Sequence, residues 1–283
     1  MMRKIAAMDP MSSTPREPRP DQADGLRRLF SGSRVRFVPV VSNPHVRSSG
    51  AVLEQLCAAY SEMGLNTLFV DAAEAAPAPS ELAHVDLGAC IEPLSGSVSY
   101  LAARGLPMRY TNARGSAAQF LQALAQCAPH AEVVLLHASA PELARVVALR
   151  ETRPLLLADI ENDSVTHAYA AMKWLSQRAG LMVYSLLLAA HPQLRLATRI
   201  AQQLTSCADS FLGAVLRDWA CVDPRTPAGA PLTPELRHVA RELLGVAPPG
   251  AALAATEDSA PLRPAGRGSN ASPPSYQLLA GAL

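Results

Sequence analysis

Short apolar runs alternate with stretches of helical periodicity between residues 36 and 222. Arg36–Val41 (RFVPVV) is β-rich, although Pro39 argues against a central position because proline brings no N–H to the ladder. Residues 51–63 carry Val52, Leu56, Ala59, Tyr60 and Met63 at helical spacing, and Gly64 marks the expected end of that helix. Residues 67–70 form the next apolar run, closed by Asp71. Further strands are predicted over 87–91, 133–136, 155–158, 181–188 and Val215–Val222, and helices over 116–127, 141–150, 164–178 and 192–206. In the helix over 164–178, Asp163 or Ser164 is the expected cap, and Val165, Tyr169, Met172 and Leu175 line one side. Short strands alternating with amphipathic helices predict an α/β fold, doubly wound, on a mostly parallel sheet with helices on both faces. The sequence contains no internal repeat.

The two ends of the chain break this pattern. Residues 1–20 are polar and proline-rich, which predicts disorder, since too little apolar surface is available to offset the entropy of ordering. Residues 21–30 predict a short helix capped by Asp21, with Ala23, Leu26, Leu29 and Phe30 on one side and Ser31, Gly32 and Ser33 following as a hinge. A single domain is then expected over 34–224. Residues 225–283 read as a tail with one helix, Pro234–Leu244, opened by Thr233 with Pro234 in its first turn. The rest of that tail is rich in Ala, Pro, Ser and Gly and is predicted to be disordered.

Composition narrows the function classes. With 49% hydrophobic residues among 283, the chain can bury a sizeable core. Net charge is +1 and the only lysines are Lys4 and Lys173, so there is no electrostatic footprint for nonspecific nucleic-acid binding. Cys57, Cys90, Cys127, Cys207 and Cys221 are widely spaced, with no CxxC pair and no histidine at ligand spacing. They read as reduced thiols in a cytosolic protein, and no metal site is expected. The first seven residues lack the apolar stretch of a signal peptide. The longest apolar run, 181–190, has about half the ~20 residues of a membrane-spanning helix. No HExxH or GxSxG signature is present. His137 and Ser139 sit at a predicted strand end but have no identifiable orienting acid. His167 reads as a helix-surface residue, and Trp174 and Trp219 as packing residues.

Three stretches, in order along the chain, carry a resemblance. Asp21-Gln22-Ala23-Asp24-Gly25-Leu26-Arg27 matches a DQAxxLR motif. Residues 159–175 (DIENDSVTHAYAAMKWL) are similar to a strand end and turn followed by a helix beginning S-x-T-D-A-Y-A, with His167 in place of the Asp. Residues 211–224 (FLGAVLRDWACVDP) are similar to F-L-x-x-x-L-x-x-x-G-x-(I/V)-P-x-D, with Ala220 in place of the glycine. Together they resemble the FlhG/FleN flagellar-number regulators of the MinD/ParA family. The resemblance implies a MinD/ParA-type α/β fold, and in intact members ATP and magnesium as cofactors, ATP-dependent dimerisation and membrane association. It also implies a partner in the signal-recognition-type GTPase FlhF, and further partners in a flagellar transcription activator or C-ring protein. The implied location is cytoplasmic, at the flagellated pole or inner membrane surface through partners. The helix Pro234–Leu244 falls where family members carry a membrane-targeting helix, but its shortness and few charges favour packing on the domain.

The sequence departs from that family where the phosphates would bind. The family's loop, KGGxGK(T/S), uses glycines so that backbone N–H groups wrap the phosphates, lysines to neutralise them, and a hydroxyl for magnesium. Counting back from Asp71, the corresponding segment is Ser42 through Gly50. Pro44 stands at the signature lysine, Ser49 at the loop lysine and Gly50 at the magnesium hydroxyl, and Arg47 is the only cation nearby. Proline removes a donor, and Val46 suits positive φ poorly. After the strand over 133–136 the family's aspartate is also missing, because the chain reads His137-Ala138-Ser139-Ala140-Pro141. The expectation is therefore a degenerate loop with remnant Asp71, no bound cofactor and no ATP hydrolysis.

The resemblance implies that the DQAxxLR helix docks on FlhF and stimulates its GTP hydrolysis. Gln22 offers an amide able to orient an attacking water, Asp21 caps the helix, Ala23 and Leu26 belong to the contact face, and Arg27 can meet partner carboxylates. Two other readings stay open. One is a divergent switch that still binds ATP. The other is a scaffold or antagonist pairing with another MinD-like protein or a transcription activator.

Overall fold

The structure is a computed structural model and describes residues 35–147 and 152–245. The segment 1–20, the helix predicted over 21–30, residues 148–150 and the tail beyond 245 lie outside the described residues. Along the chain come β1 (Arg36–Val41), α1 (Ser49–Glu62), β2 (Thr67–Asp71), β3 (Glu92–Pro93), β4 (Val98–Ala102), α2 (Leu106–Arg109), α3 (Gln119–Cys127) and β5 (Val133–Ala138). They are followed by α4 (Ala140–Val146), β6 (Leu155–Asp159), α5 (Asn162–Ala179), β7 (Val183–Ala189), α6 (Arg195–Cys207), β8 (Val215–Val222) and α7 (Pro234–Leu244).

The strands form one eight-stranded sheet in the order β3-β4-β2-β5-β1-β6-β7-β8. Only β3, at the edge, runs antiparallel to its neighbour. Central strands buried on both faces read as continuous apolar runs, and β5 (VVLLHA) is buried at every position. Its side chains alternate: Val133 and Leu135 join a cluster with α1 and α7, while Val134, Leu136 and Ala138 join the larger cluster that takes in α2 through α6. The doubly wound, mostly parallel α/β architecture read from the sequence is thus observed. Among the described residues, no helix is long and apolar enough to cross a membrane.

Several elements differ from expectation, each for a local reason. Despite Pro39, β1 is central, flanked by β5 and β6. Arg36 and Ser42 donate their N–H groups to carbonyls on the β5 side. Alternation therefore turns the missing donor of Pro39 toward β6, whose pairing begins only at Val40↔Leu155. The strand expected over 87–91 is replaced by a short 3-10 turn, Gly88–Cys90, and the neighbour of β2 is instead β4, in the register Thr67↔Val98 to Asp71↔Ala102. Neither Asp163 nor Ser164 caps α5. Glu161 holds the cap position without a side-chain bond, and Ser164 is turned into the core. The residues at 116–118 and 192–194 are turn and irregular backbone, so α3 and α6 start later than their apolar spacing suggests. Gly64 does follow α1, at φ +73°, a conformation that costs a side chain.

The core runs past 224, where the sequence reading ended the domain. Leu236, Val239, Ala240, Leu243 and Leu244 of α7 are buried in the cluster shared with α1 and β1. Thr233 caps the helix by accepting a hydrogen bond from the Leu236 N–H. Arg153, just before β6, is buried and bonds Asp218 of β8 at 3.0 Å, with Glu242 of α7 at 3.7 Å. A buried charge needs such partners. A helix so embedded cannot be removed without exposing the sheet. Leu236→Ala should lower the unfolding free energy by about 2–4 kcal/mol, as for other core truncations. Urea denaturation checks this; a loss of under about 0.5 kcal/mol, typical of surface sites, would mean the helix is peripheral.

Candidate functional site at the carboxyl end of the sheet

In open α/β sheets, ligands sit beyond the carboxyl ends of the strands, where neighbouring strands send their helices to opposite faces. Here those strands are β1 and β5. The loop after β1 leads into α1 on one face, while β5 leads into α4 on the other. The candidate site is the loop from Ser42 to Ser48 and its surroundings.

The loop is anchored by Asn43. This buried side chain donates from Nδ2 to the carbonyls of Leu157 (2.8 Å) and Ser164 (2.9 Å), and lies 3.2 Å from the Ser164 hydroxyl. Its Oδ1 accepts the His45 N–H at 3.1 Å. The Ser164 hydroxyl in turn accepts the Asp159 N–H at 2.9 Å. One amide thus ties the β1 loop to the end of β6 and the first turn of α5.

Part of the loop's own backbone is committed. Val46 N–H bonds the Asn43 carbonyl and Ser49 N–H bonds the Val46 carbonyl. The Val46 side chain is buried on the α1/α7 side of the sheet. None of the positive-φ glycines lies between 42 and 50. Pro44 and Arg47 are exposed at the loop's turns, and Ser49 and Gly50 open α1. A closed, packed turn of this kind presents few converging N–H groups to an anion.

Asp71 ends β2, with β5 between it and β1. Its Oδ1 lies 2.9 Å from His137 Nδ1 and accepts the Ala73 N–H at 3.2 Å. Asp71 is therefore the orienting acid for His137 that sequence reasoning could not name, because β2 and β5 are adjacent only in the folded sheet. The arrangement is still not a nucleophile–base pair. The Ser139 hydroxyl donates to Glu142 (2.8 Å) in a capping box, and His137 Nε2 is buried without a partner.

Sequence reasoning also missed a histidine pair. His167 is partly buried rather than on the helix surface, and its ring meets that of His45 edge-on, with centroids 5.7 Å apart at 62°. Burial, and then the neighbouring His45, hold the His167 pKa below its ordinary value. The only sequence signal was His167 itself, standing where the resembling motif has Asp. The proposed partner-binding residues Asp21, Gln22, Ala23, Leu26 and Arg27 lie outside the described residues. An open groove of about 570 Å³ between α6 and β8 lies at the outer edge of the sheet, away from the β1 loop, Asp71 and His137.

Solved structures share this architecture. The chain is similar to a chain of the MinC:MinD cell division protein complex of Aquifex aeolicus, with TM-score 0.50 and 12% identity, covering 81% of this chain and 99% of that one. It is similar to a substituted form of Cyanothece McdA in complex with ATP, with TM-score 0.51 and 13% identity over 76% of this chain and 98% of that one. Cobyrinic acid a,c-diamide synthase from Mycobacterium smegmatis gives TM-score 0.50 and 17% identity, covering 74% and 94%. The fold is of the MinD/ParA type. No protein-family model and no curated protein sequence matches the chain. At these identities the likeness is one of fold.

Asn43→Ala should destabilise the protein by about 2–3 kcal/mol, because it removes the partner of the Leu157 carbonyl and of the His45 N–H at a buried junction. Chemical denaturation measures this, and a loss near zero would show that the loop is held by other contacts. In metal-free buffer, ¹H NMR should find His167 titrating below an ordinary histidine, and His45→Ala should move it upward. Because the unfolded chain holds that proton more tightly, the His167 contribution weakens stability as pH falls from the ordinary histidine value toward the depressed one. Above that window it has no effect.

Proposed function

We propose that the chain is a regulator of MinD/ParA fold that works by binding rather than by hydrolysing ATP. In this reading its partner is the signal-recognition-type GTPase FlhF, and its role is control of flagellar number and placement. The observation that carries the non-hydrolytic half is the loop after β1. Its N–H groups at His45, Val46 and Ser49 are taken up within the loop, and its cation is Arg47 rather than lysine. The Asp71 carboxylate is engaged by His137. Phosphoryl transfer relies almost wholly on positioning and charge neutralisation, so the loss of both leaves little to catalyse with.

The partner half rests on the sequence Asp21-Gln22-Ala23-Asp24-Gly25-Leu26-Arg27. A glutamine amide can donate and accept at once, which suits it to hold an attacking water at the γ-phosphate of a bound GTPase. Leu26 supplies the apolar anchor and Arg27 a charge for the partner's carboxylates. The MinD/ParA-type domain then serves as the scaffold that presents this segment.

The experiment is GTP hydrolysis by the cognate FlhF with and without the full chain, with Gln22→Ala as control and ATP binding followed by calorimetry in parallel. Stimulation that Gln22→Ala removes, with ATP binding weaker than millimolar, is the expected result. Absence of stimulation would overturn the partner reading. Tight ATP binding with magnesium would overturn the non-nucleotide reading in favour of a divergent switch.

A further inference from the structure

We propose that His45 and His167 form a binding site for a borderline divalent transition-metal ion of the Zn²⁺, Ni²⁺ or Cu²⁺ class, at the mouth of the loop after β1. Such a site does not depend on FlhF being the partner.

The two rings are brought together by rigid parts of the fold. Asn43 fixes the backbone of His45 through its Oδ1 and grips Ser164 through its Nδ2. Ser164 lies about one helical turn before His167 on α5, so it shares that residue's side of the helix. One buried amide therefore sets both histidines at once, and their rings meet at a centroid separation of 5.7 Å.

That separation suits a shared ion. An imidazole nitrogen sits about 2.0–2.1 Å from a bound metal, which places the ring centre about 3.2 Å from it. Two rings at a tetrahedral angle then have centres about 5.2 Å apart, within a few tenths of an ångström of the spacing observed. The rings meet edge to face at 62°, so sharing an ion requires the exposed His45 ring to turn its edge toward His167.

His45 is exposed and can accept an ion from solvent.

The ligand set selects the class of ion. Imidazole nitrogen suits zinc, nickel and copper, whereas magnesium prefers oxygen. Among the described residues no group of three or more His, Cys, Asp or Glu side chains is placed around an ion, so this site has two protein ligands and leaves the remaining positions to water. Glu74 acts on His167 electrostatically and adds favourable negative charge. Half the binding free energy of a four-ligand structural zinc site corresponds to a Kd on the order of 10 μM. An ion held there cross-links the β1 loop to α5.

The test is a calorimetric titration of the reduced full chain with Zn²⁺, beside His45→Ala, His167→Ala and His238→Ala. His238 lies on α7 near Asp218 and belongs to a different cluster. The expected result is a site weakened at least tenfold by either of the first two substitutions, unchanged by His238→Ala and not competed by Mg²⁺. Because His45 is exposed, His45→Ala tests the site even if His167→Ala folds poorly. Electron paramagnetic resonance of the Cu²⁺ form should carry splitting from two imidazole nitrogens. Equal Zn²⁺ binding by wild type and both variants would overturn the proposal and place the ion on the partly exposed cysteines. Absence of binding at millimolar Zn²⁺, or coupling to a single nitrogen, would overturn it as well.

Discussion

The hydrogen bonds of the buried Asn43 amide are the constraint on which the candidate site depends. Its two donor arms satisfy carbonyls of Leu157 and Ser164, and its oxygen takes up the His45 N–H. In a low-dielectric interior such a fully satisfied amide rigidifies what it joins, because each bond lost leaves an unpaired polar group behind. Here it joins the end of β1, the end of β6 and the start of α5, the three elements that meet over the carboxyl edge of the sheet. The histidine pair and the closed turn of the β1 loop both follow from that junction.

A phosphate-binding loop needs the opposite arrangement. Its N–H groups must be left unpaired within the loop so that they can converge on an anion, and glycines supply the backbone angles that make this possible. In this chain the loop after β1 commits the His45, Val46 and Ser49 N–H groups within itself and buries the Val46 side chain. The neighbouring carboxylate, Asp71, has found a histidine partner on the adjacent strand. Part of the loop and the Asp71 carboxylate are thus engaged internally. A fold hosts its function in the site rather than in the architecture, so a MinD/ParA-type sheet is compatible with a purely binding role.

The apolar periodicity made the main architecture legible. Residue patterns in β1, β5, β6, β7, β8, α1, α5 and α7 gave element types, because strands buried on both faces and helices with one buried side leave strong signals. The weak points were those where the signal is inherently short. The strand β4 (VSYLA) is only partly buried, and the competing run at 87–91 contains a glycine that folds into a turn. The cap of α5 was misplaced because Ser164, a good capping type, is used to receive Asn43 and Asp159 instead. Pro39 is tolerated in the central strand β1 because pairing with β6 starts one residue later.

The sequence by itself determined the alternation of strands and helices, the mostly parallel sheet, and a loop after β1 that has no lysine and no glycine before Gly50. These depend on residue type and on periods of two and 3.6, which are properties of the chain alone. Only the tertiary structure decided which distant residues share a site. Asp71 and His137, Asn43 and Ser164, and His45 and His167 are separated by dozens of residues or more, and each pair meets because strand order places their segments side by side. The helix α7 lies beyond the predicted domain boundary, yet the expectation that it packs on the domain is met, because its apolar side is buried with α1 and β1. Spacing along a chain encodes local geometry, whereas proximity across a sheet is set by the connections between strands, and no local pattern carries that information.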